Sequence, residues 1–97
     1  MLTSKQRSYL SGLAATLDPV IHLGKLGTED GFLKALDKAL EDHELVKLRF
    51  VDFKDDRKNI AHELATELKA ELVRVIGHTA IFYRQSANPE KQHIKLP

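Results

Sequence analysis

Gly24 and Gly27 enclose Lys25 and Leu26, just after a short β-rich run at 20–23 and just before Thr28, Glu29 and Asp30. This is the order of a strand, a glycine loop and a helix start. The first turn of a helix leaves backbone N–H groups without partners and carries the positive end of the helix dipole, so an anion is favoured there. A Cβ at either end of the loop would hold an extended anion such as a sugar-phosphate chain away from those amides. Glycine removes that obstacle, and Lys25 adds a mobile positive charge. The chemistry implied is the holding of phosphate. With five glycines in 97 residues, G-x-x-G arises by chance about 0.26 times in such a chain, so the flanking strand and helix carry the signal. The plain alternative is a tight strand-to-helix turn. No Lys-Ser or Lys-Thr follows a second glycine at Walker spacing, so a nucleoside-triphosphate loop is excluded.

The remaining candidates for chemistry are weak. His62-Glu63 begins a zinc-protease pattern, but Thr66 stands where a helix would need the second histidine. His22, His43, His78 and His93 have no paired metal-ligand spacing. Asp55-Asp56 and the Glu67, Glu71 pair are explained by helix capping and solvated charge without general acid or base work. The chain has no cysteine, hence no thiol nucleophile and no thiolate ligand. We expect no enzyme activity, no metal and no cofactor.

The elements that must position the loop follow from apolar spacing. Thr3 and Gln6 form a potential capping box ahead of Tyr9, Leu10, Leu13, Ala14 and Leu17 at helical spacing, and Pro19 closes this helix. After a strand at 20–23 and the loop, a second helix capped by Thr28 runs to about residue 41, with Phe32, Leu33, Leu36, Ala39 and Leu40 inward and Asp30 and Lys34 paired. His43-Glu44 is a turn. Residues 45–51 alternate, placing Val46, Leu48 and Phe50 on one face and Lys47 and Arg49 on the other. A third helix, capped by Asp55 or Asp56, carries Ile60, Ala61, Leu64, Ala65 and Leu68 and ends near 69 or 70.

Two strands, 72–76 and 79–84, are joined by Gly77-His78, a glycine-first pair suited to a type II′ turn. Simple pairing sets Ile76 opposite Thr79, Arg74 opposite Ile81 and Leu72 opposite Tyr83, which makes Arg74 and Tyr83 neighbours on one face. If Lys47 and Arg49 share that face, it combines cations with an aromatic ring and could attract nucleotides. The order α-β-α-β-α-β-β, with right-handed crossovers and parallel pairing across the helices, describes an α/β fold, a compact sandwich with a four-stranded mixed sheet. Residues 1–84 form one domain, and 85–97, polar and without apolar period, read as a loose, flexible C-terminal tail.

A hydrophobic share of 42% and a charged share of 30% are ordinary for a folded soluble domain. The N-terminus lacks a signal-peptide run, and no window approaches the ~20 apolar residues of a membrane span. A cytoplasmic protein without membrane contact is expected. The formal charge of +1 is too small to announce a nucleic-acid partner, so placement of the charges must do so.

Four blocks together resemble a known family: Leu2-Thr3-Ser4-Lys5-Gln6-Arg7 with Tyr9-Leu10, the Gly24 to Gly27 loop, Ala39-Leu40 through His43-Glu44-Leu45-Val46-Lys47-Leu48, and Val75-Ile76-Gly77 through Tyr83-Arg84. Over residues 2–84 the chain is similar to the CRM domain, in particular to the stand-alone bacterial YhbY family. The resemblance implies a fold similar to the C-terminal domain of translation initiation factor three. It also implies RNA binding through a GxxG loop, comparable to the backbone clamp of KH domains. It further implies ribosome biogenesis, with ribosomal RNA in large-subunit precursors as partner. Leu26 and Thr28 depart from the family's usual residues at those positions. The RNA contacts expected are Gly24, Lys25, Leu26, Gly27 and Thr28, with Lys5, Arg7, Lys47, Arg49 and Arg74 as charge contacts. We expect a monomer that does not take DNA. The alternative from another class is a protein-interaction module docking on a ribosomal protein.

Overall fold

A computed structural model describes residues 2–24, 30–51 and 56–97. Its elements are α1 (Ser4–Ala14), β1 (Ile21–Leu23), α2 (Asp30–His43), β2 (Leu45–Phe50), α3 (Arg57–Glu67), β3 (Glu71–Ile76), β4 (Thr79–Tyr83) and a 3-10 turn at Pro89–Lys91. The strands form one sheet in the order β1-β2-β4-β3. β1 and β2 are parallel, whereas β4 is antiparallel to both β2 and β3. The expected element order and mixed sheet are therefore present. Among the described residues no helix is long and apolar enough to cross a membrane.

Three layers result, because each face of the sheet buries its own apolar set. Val46, Leu48 and Phe50 join Ala80 and Phe82 beneath Leu36 and Leu40 of α2 and Ala61, Leu64 and Ala65 of α3. Leu45, Val73, Ile81 and Tyr83 instead meet Leu2, Leu10 and Ala14 along α1. Each fully buried leucine contributes on the order of 1.5–3 kcal/mol. At the start of α1 the capping box forms in both directions: Gln6 N–H donates to Thr3 Oγ1 at 3.1 Å and Thr3 N–H to Gln6 Oε1 at 3.0 Å. Two orphan amides are thereby satisfied, a feature worth about 1 kcal/mol.

The structure corrects several local expectations. α1 stops at Ala14, so Leu17 lies beyond it, and Leu13 and Leu17 stay 37% and 40% exposed. Asp56 occupies the cap position of α3 without a side-chain cap bond, and Asp55 lies outside the described residues, as do Thr28 and the side chain of Asp30. α2 runs two residues past the expected end and α3 stops short of it. Both finish on non-glycine residues in the left-handed region, Glu44 at φ 63 and Lys69 at φ 55. Lys69 closes a Schellman motif, in which Ala70 N–H donates to Ala65 O at 2.8 Å and Lys69 N–H to Thr66 O at 3.3 Å. Gly77 sits at φ 55, the backbone freedom that a glycine-first hairpin turn requires.

Two larger differences follow from a bulge and from the tail. Ile76 does face Thr79 and Arg74 does face Ile81, but the register shifts between Leu72 and Arg74, so Leu72 faces Phe82 and Glu71 faces Tyr83. One extra residue in a strand reverses the faces that follow it. Leu72 thus packs on the α2 and α3 side, and Val73 joins the α1 side. The bulge exposes carbonyls that Arg7 captures, its Nη1 donating to Leu72 O at 2.6 Å and Val73 O at 3.1 Å. Residues 85–97, read as loose from composition, lie against α2 and the α1 layer. The fully buried Glu44 carboxylate accepts from Ser86 N–H at 2.8 Å, His93 N–H at 2.6 Å and Ile94 N–H at 3.2 Å. Lys91 Nζ donates to Asp42 at 2.5 Å, and Ile94 and Leu96 pack on the α1 layer.

Candidate nucleic-acid interface

Gly24 directly follows β1, at the sheet end where β2 and β3 also finish. It is partly buried, its φ is not in the left-handed region, and a Cβ built on it meets nothing within 4 Å. Neither packing nor backbone strain among the described residues demands glycine there. Lys25, Leu26, Gly27 and Thr28 lie outside the described residues. α2 begins at Asp30, so its N-terminal end lies close to this loop in the chain.

Alternation along β2 directs Lys47 and Arg49 to the same side as Leu45, the side that α1 covers. Pairing extends each into a row across the sheet. Lys47 faces Ile81, which faces Arg74. Arg49 faces Thr79, which faces Ile76, and on its other side pairs with His22 of β1. His22, Arg49, Ile76 and Arg74 are exposed, because α1 covers only the far end of this face. Among the described residues, Arg49 and Arg74 have no hydrogen-bonded or ionic partner. Lys47 Nζ donates to Leu17 O at 3.0 Å and keeps two further protons for an anion. The expected cationic face therefore exists, and its second row adjoins Gly24 through β1.

The aromatic part of that expectation fails. Tyr83 is only 7% exposed, enclosed in the α1 layer, and across the ladder it faces Glu71 instead of Leu72. Burial, then the nearby Glu44 charge, pushes its hydroxyl pKa up, as suits a residue of the interior.

Lys5 and Arg7 stand apart from the loop. Both belong to the first turns of α1, and Arg7 reaches the beginning of β3, at the opposite end of the sheet from Gly24. Lys5 is exposed there, while the Arg7 guanidinium holds the bulge. Arg84 is likewise structural, donating to Asp37 Oδ1 at 2.7 Å and to Leu68 O at 2.9 Å, which ties β4 to both α2 and α3.

His22, Thr79 and Ile76 complete the open row, and sequence reasoning did not assign them to the interface. The available signal was parity: His22 lies two residues before Gly24 and shares a strand face with Val20. At the hairpin, His78 Nδ1 lies 2.8 Å from Arg57 Nη1, so its acceptor tautomer serves the start of α3. Among the described residues no group of three potential ligands is placed to hold a metal ion.

Comparison with known proteins adds the ancestry. Residues 2–84 match the model of the CRS1 / YhbY (CRM) domain. The Bacillus subtilis protein named "Probable RNA-binding protein YqeI" is 35% identical, with all of both chains covered. A Haemophilus influenzae protein named "RNA-binding protein" is 38% identical over 99% of this chain and 95% of its own length. The solution structure of Staphylococcus aureus SAV1595 superposes with a TM-score of 0.83 at 39% identity, covering the whole of both chains. With its domain, its layer order and its full-length relatives in agreement, the chain belongs to the CRS1/YhbY (CRM) domain family.

Proposed function

We propose that this protein binds RNA by its backbone, with Gly24, Lys25, Leu26 and Gly27 clamping phosphates, Thr28 capping α2, and Lys47, Arg49 and Arg74 adding charge along the open face. The observation that carries this reading is the row His22, Arg49, Thr79, Ile76, which brings the exposed Arg49 beside His22 of β1, the strand that ends just before Gly24. Phosphate contacts position a protein on RNA, and their affinity is electrostatic. Lys5 offers a second, distant contact at the other end of the molecule, and Arg7 supports the fold at the bulge. The role is binding in the cytoplasm by a monomer, without bond making and without DNA as partner.

The biological setting we infer is the assembly of the large ribosomal subunit, with its precursor RNA as ligand. This rests on the family, whose relatives carry RNA-binding names. The protein should then co-sediment with incomplete large subunits more than with translating ribosomes. Confinement to ribosome-free fractions under low-salt lysis at natural expression removes the assembly role and leaves RNA binding standing.

The loop is tested by changing Lys25 and Leu26 together to aspartate. Both glycines remain, and two carboxylates then meet the phosphate at a range too short for salt to screen fully. Affinity for structured RNA should fall at least about tenfold, equivalent to roughly 1.4 kcal/mol. Unaltered melting together with unaltered affinity reduces the loop to a turn. A docking module for a ribosomal protein would likewise tolerate loss of the Lys25 charge.

A further inference from the structure

The large hydrophobic residues left exposed among those described are unevenly placed. Tyr9, Leu13, Leu17, Val20, Val51 and Ile76 are 37–62% exposed, and none of them belongs to α2 or α3. Tyr9 and Leu13 are on α1, Leu17 follows it, and Val20 extends β1 by its N–H bond to Lys47 O at 3.2 Å. Single exposed apolar residues are ordinary, but a contiguous group marks a surface that meets something.

Leu13, Leu17 and Val20 line one open groove of about 430 Å³, where α1 stops covering the sheet. Its polar lining includes Asp18, His43 and Lys47. This volume falls within the range of small-molecule subsites, ~300–1,000 Å³. An apolar floor under a rim offering a carboxylate acceptor, an ammonium donor and an imidazole fits a flat ring with apolar faces and a polar edge.

The position identifies the ring. Val20 lies four residues before Gly24, so the groove and the loop are roughly 13 Å apart along extended chain at ~3.3 Å per residue. Lys47, Arg49 and His22 occupy the face between them. Two cations and an imidazole between a phosphate clamp and an apolar slot describe a track for a short unpaired nucleotide run. We infer that the groove between α1 and β1 receives an unpaired nucleobase of the RNA whose backbone is held at Gly24 to Gly27. The preferred ligand is then a single-stranded or looped segment, because in a duplex the base faces are stacked away from any such floor. This deepens the RNA-binding reading and rests on it.

The protein contains no tryptophan, so V20W places a single fluorescent indole at the groove. Oligouridylate should quench that fluorescence on binding, and an RNA duplex of equal length should not. L17S, at a 40% exposed position, should retain the wild-type melt and the wild-type duplex affinity while weakening oligouridylate binding at least about tenfold. Wild-type binding of oligouridylate with no quenching in V20W and no loss in L17S overturns the groove assignment and leaves the RNA reading intact. Equal losses for single strand and duplex in L17S also overturn it. Failure of the wild-type protein to bind either RNA at low salt overturns the RNA reading itself.

Discussion

Glu44 and Lys69 occupy the same backbone conformation for different reasons, and changing each to glycine should separate them. A non-glycine residue in the left-handed region costs roughly 1 kcal/mol, which glycine relieves. Lys69 is exposed and its motif is made by backbone groups alone, so K69G should raise stability by up to about 1 kcal/mol. E44G receives the same relief but loses the carboxylate that accepts from Ser86, His93 and Ile94. Hydrogen bonds to a charged group contribute about 1.5 kcal/mol each, which puts the gross loss near 4–5 kcal/mol and the net loss near 3–4. Release of the tail rehydrates those amides and sets a floor of about 2 kcal/mol. In a domain of this size each kcal/mol moves the melting temperature by about 4–8 °C, so the two variants should differ by at least about 8 °C. Urea midpoints at unchanged slope give the energies, and amide exchange at Ser86, His93 and Ile94 reports tail release. An E44G loss below about 1 kcal/mol with those amides still protected would refute the carboxylate as the tail's anchor.

Further outcomes are specific. Gly24→Ala should leave stability within about 0.5 kcal/mol, since a Cβ there has open space, while weakening RNA several-fold; a filter-binding curve matching wild type would remove the need for close backbone approach. With about three phosphates neutralised, log affinity against log salt should fall with a slope near −2, and a flat line contradicts the charge mechanism. The Lys91 hydrogen bond, then that of Lys38, holds Asp42 well below the usual carboxylate range, at about 2. Because the folded value is depressed, its contribution is present above the ordinary carboxylate pKa and is lost as pH falls through about 2. The 89–91 turn should therefore stay docked at about pH 4 and detach toward pH 2, and Asp42→Asn should abolish that acid step in an exchange titration.

Much of the architecture was legible because periodicity survives in short elements. The order of helices and strands, the cap at Thr3 and the faces of β2 follow from spacing alone. The face of β3 was legible for Arg74 and Ile76 but not for its first half, since one inserted residue at Val73 leaves an apparently regular alternation that no longer describes one surface. The helix ends were hidden for another reason: glycine advertises a left-handed residue, whereas Glu44 and Lys69 carry no such mark. Polar composition concealed the docking of 85–97, whose main-chain amides, with Lys91, bond to the acidic side chains of Glu41, Asp42 and Glu44 far away in the sequence. Arg7 looked like surface charge and proved to be a donor to strand carbonyls. For the interface, Lys47, Arg49 and their common face were readable, but the row joining them to His22 and Gly24 required the register.

The sheet order also carries a message about biosynthesis. β4 is the last strand to leave the ribosome, yet it fills the interior of the sheet between β2 and β3. Until it emerges, β2 has only the three-residue β1 beside it, and the apolar face beneath α2 cannot close. Synthesis proceeds at about 5–20 residues per second, so this open-edged intermediate lasts for seconds during each translation event. Docking of 85–97 comes later still, because the Glu44 carboxylate that ends α2 receives Ser86, His93 and Ile94 only after β4 has been made, so this segment fastens a sheet whose strands already exist.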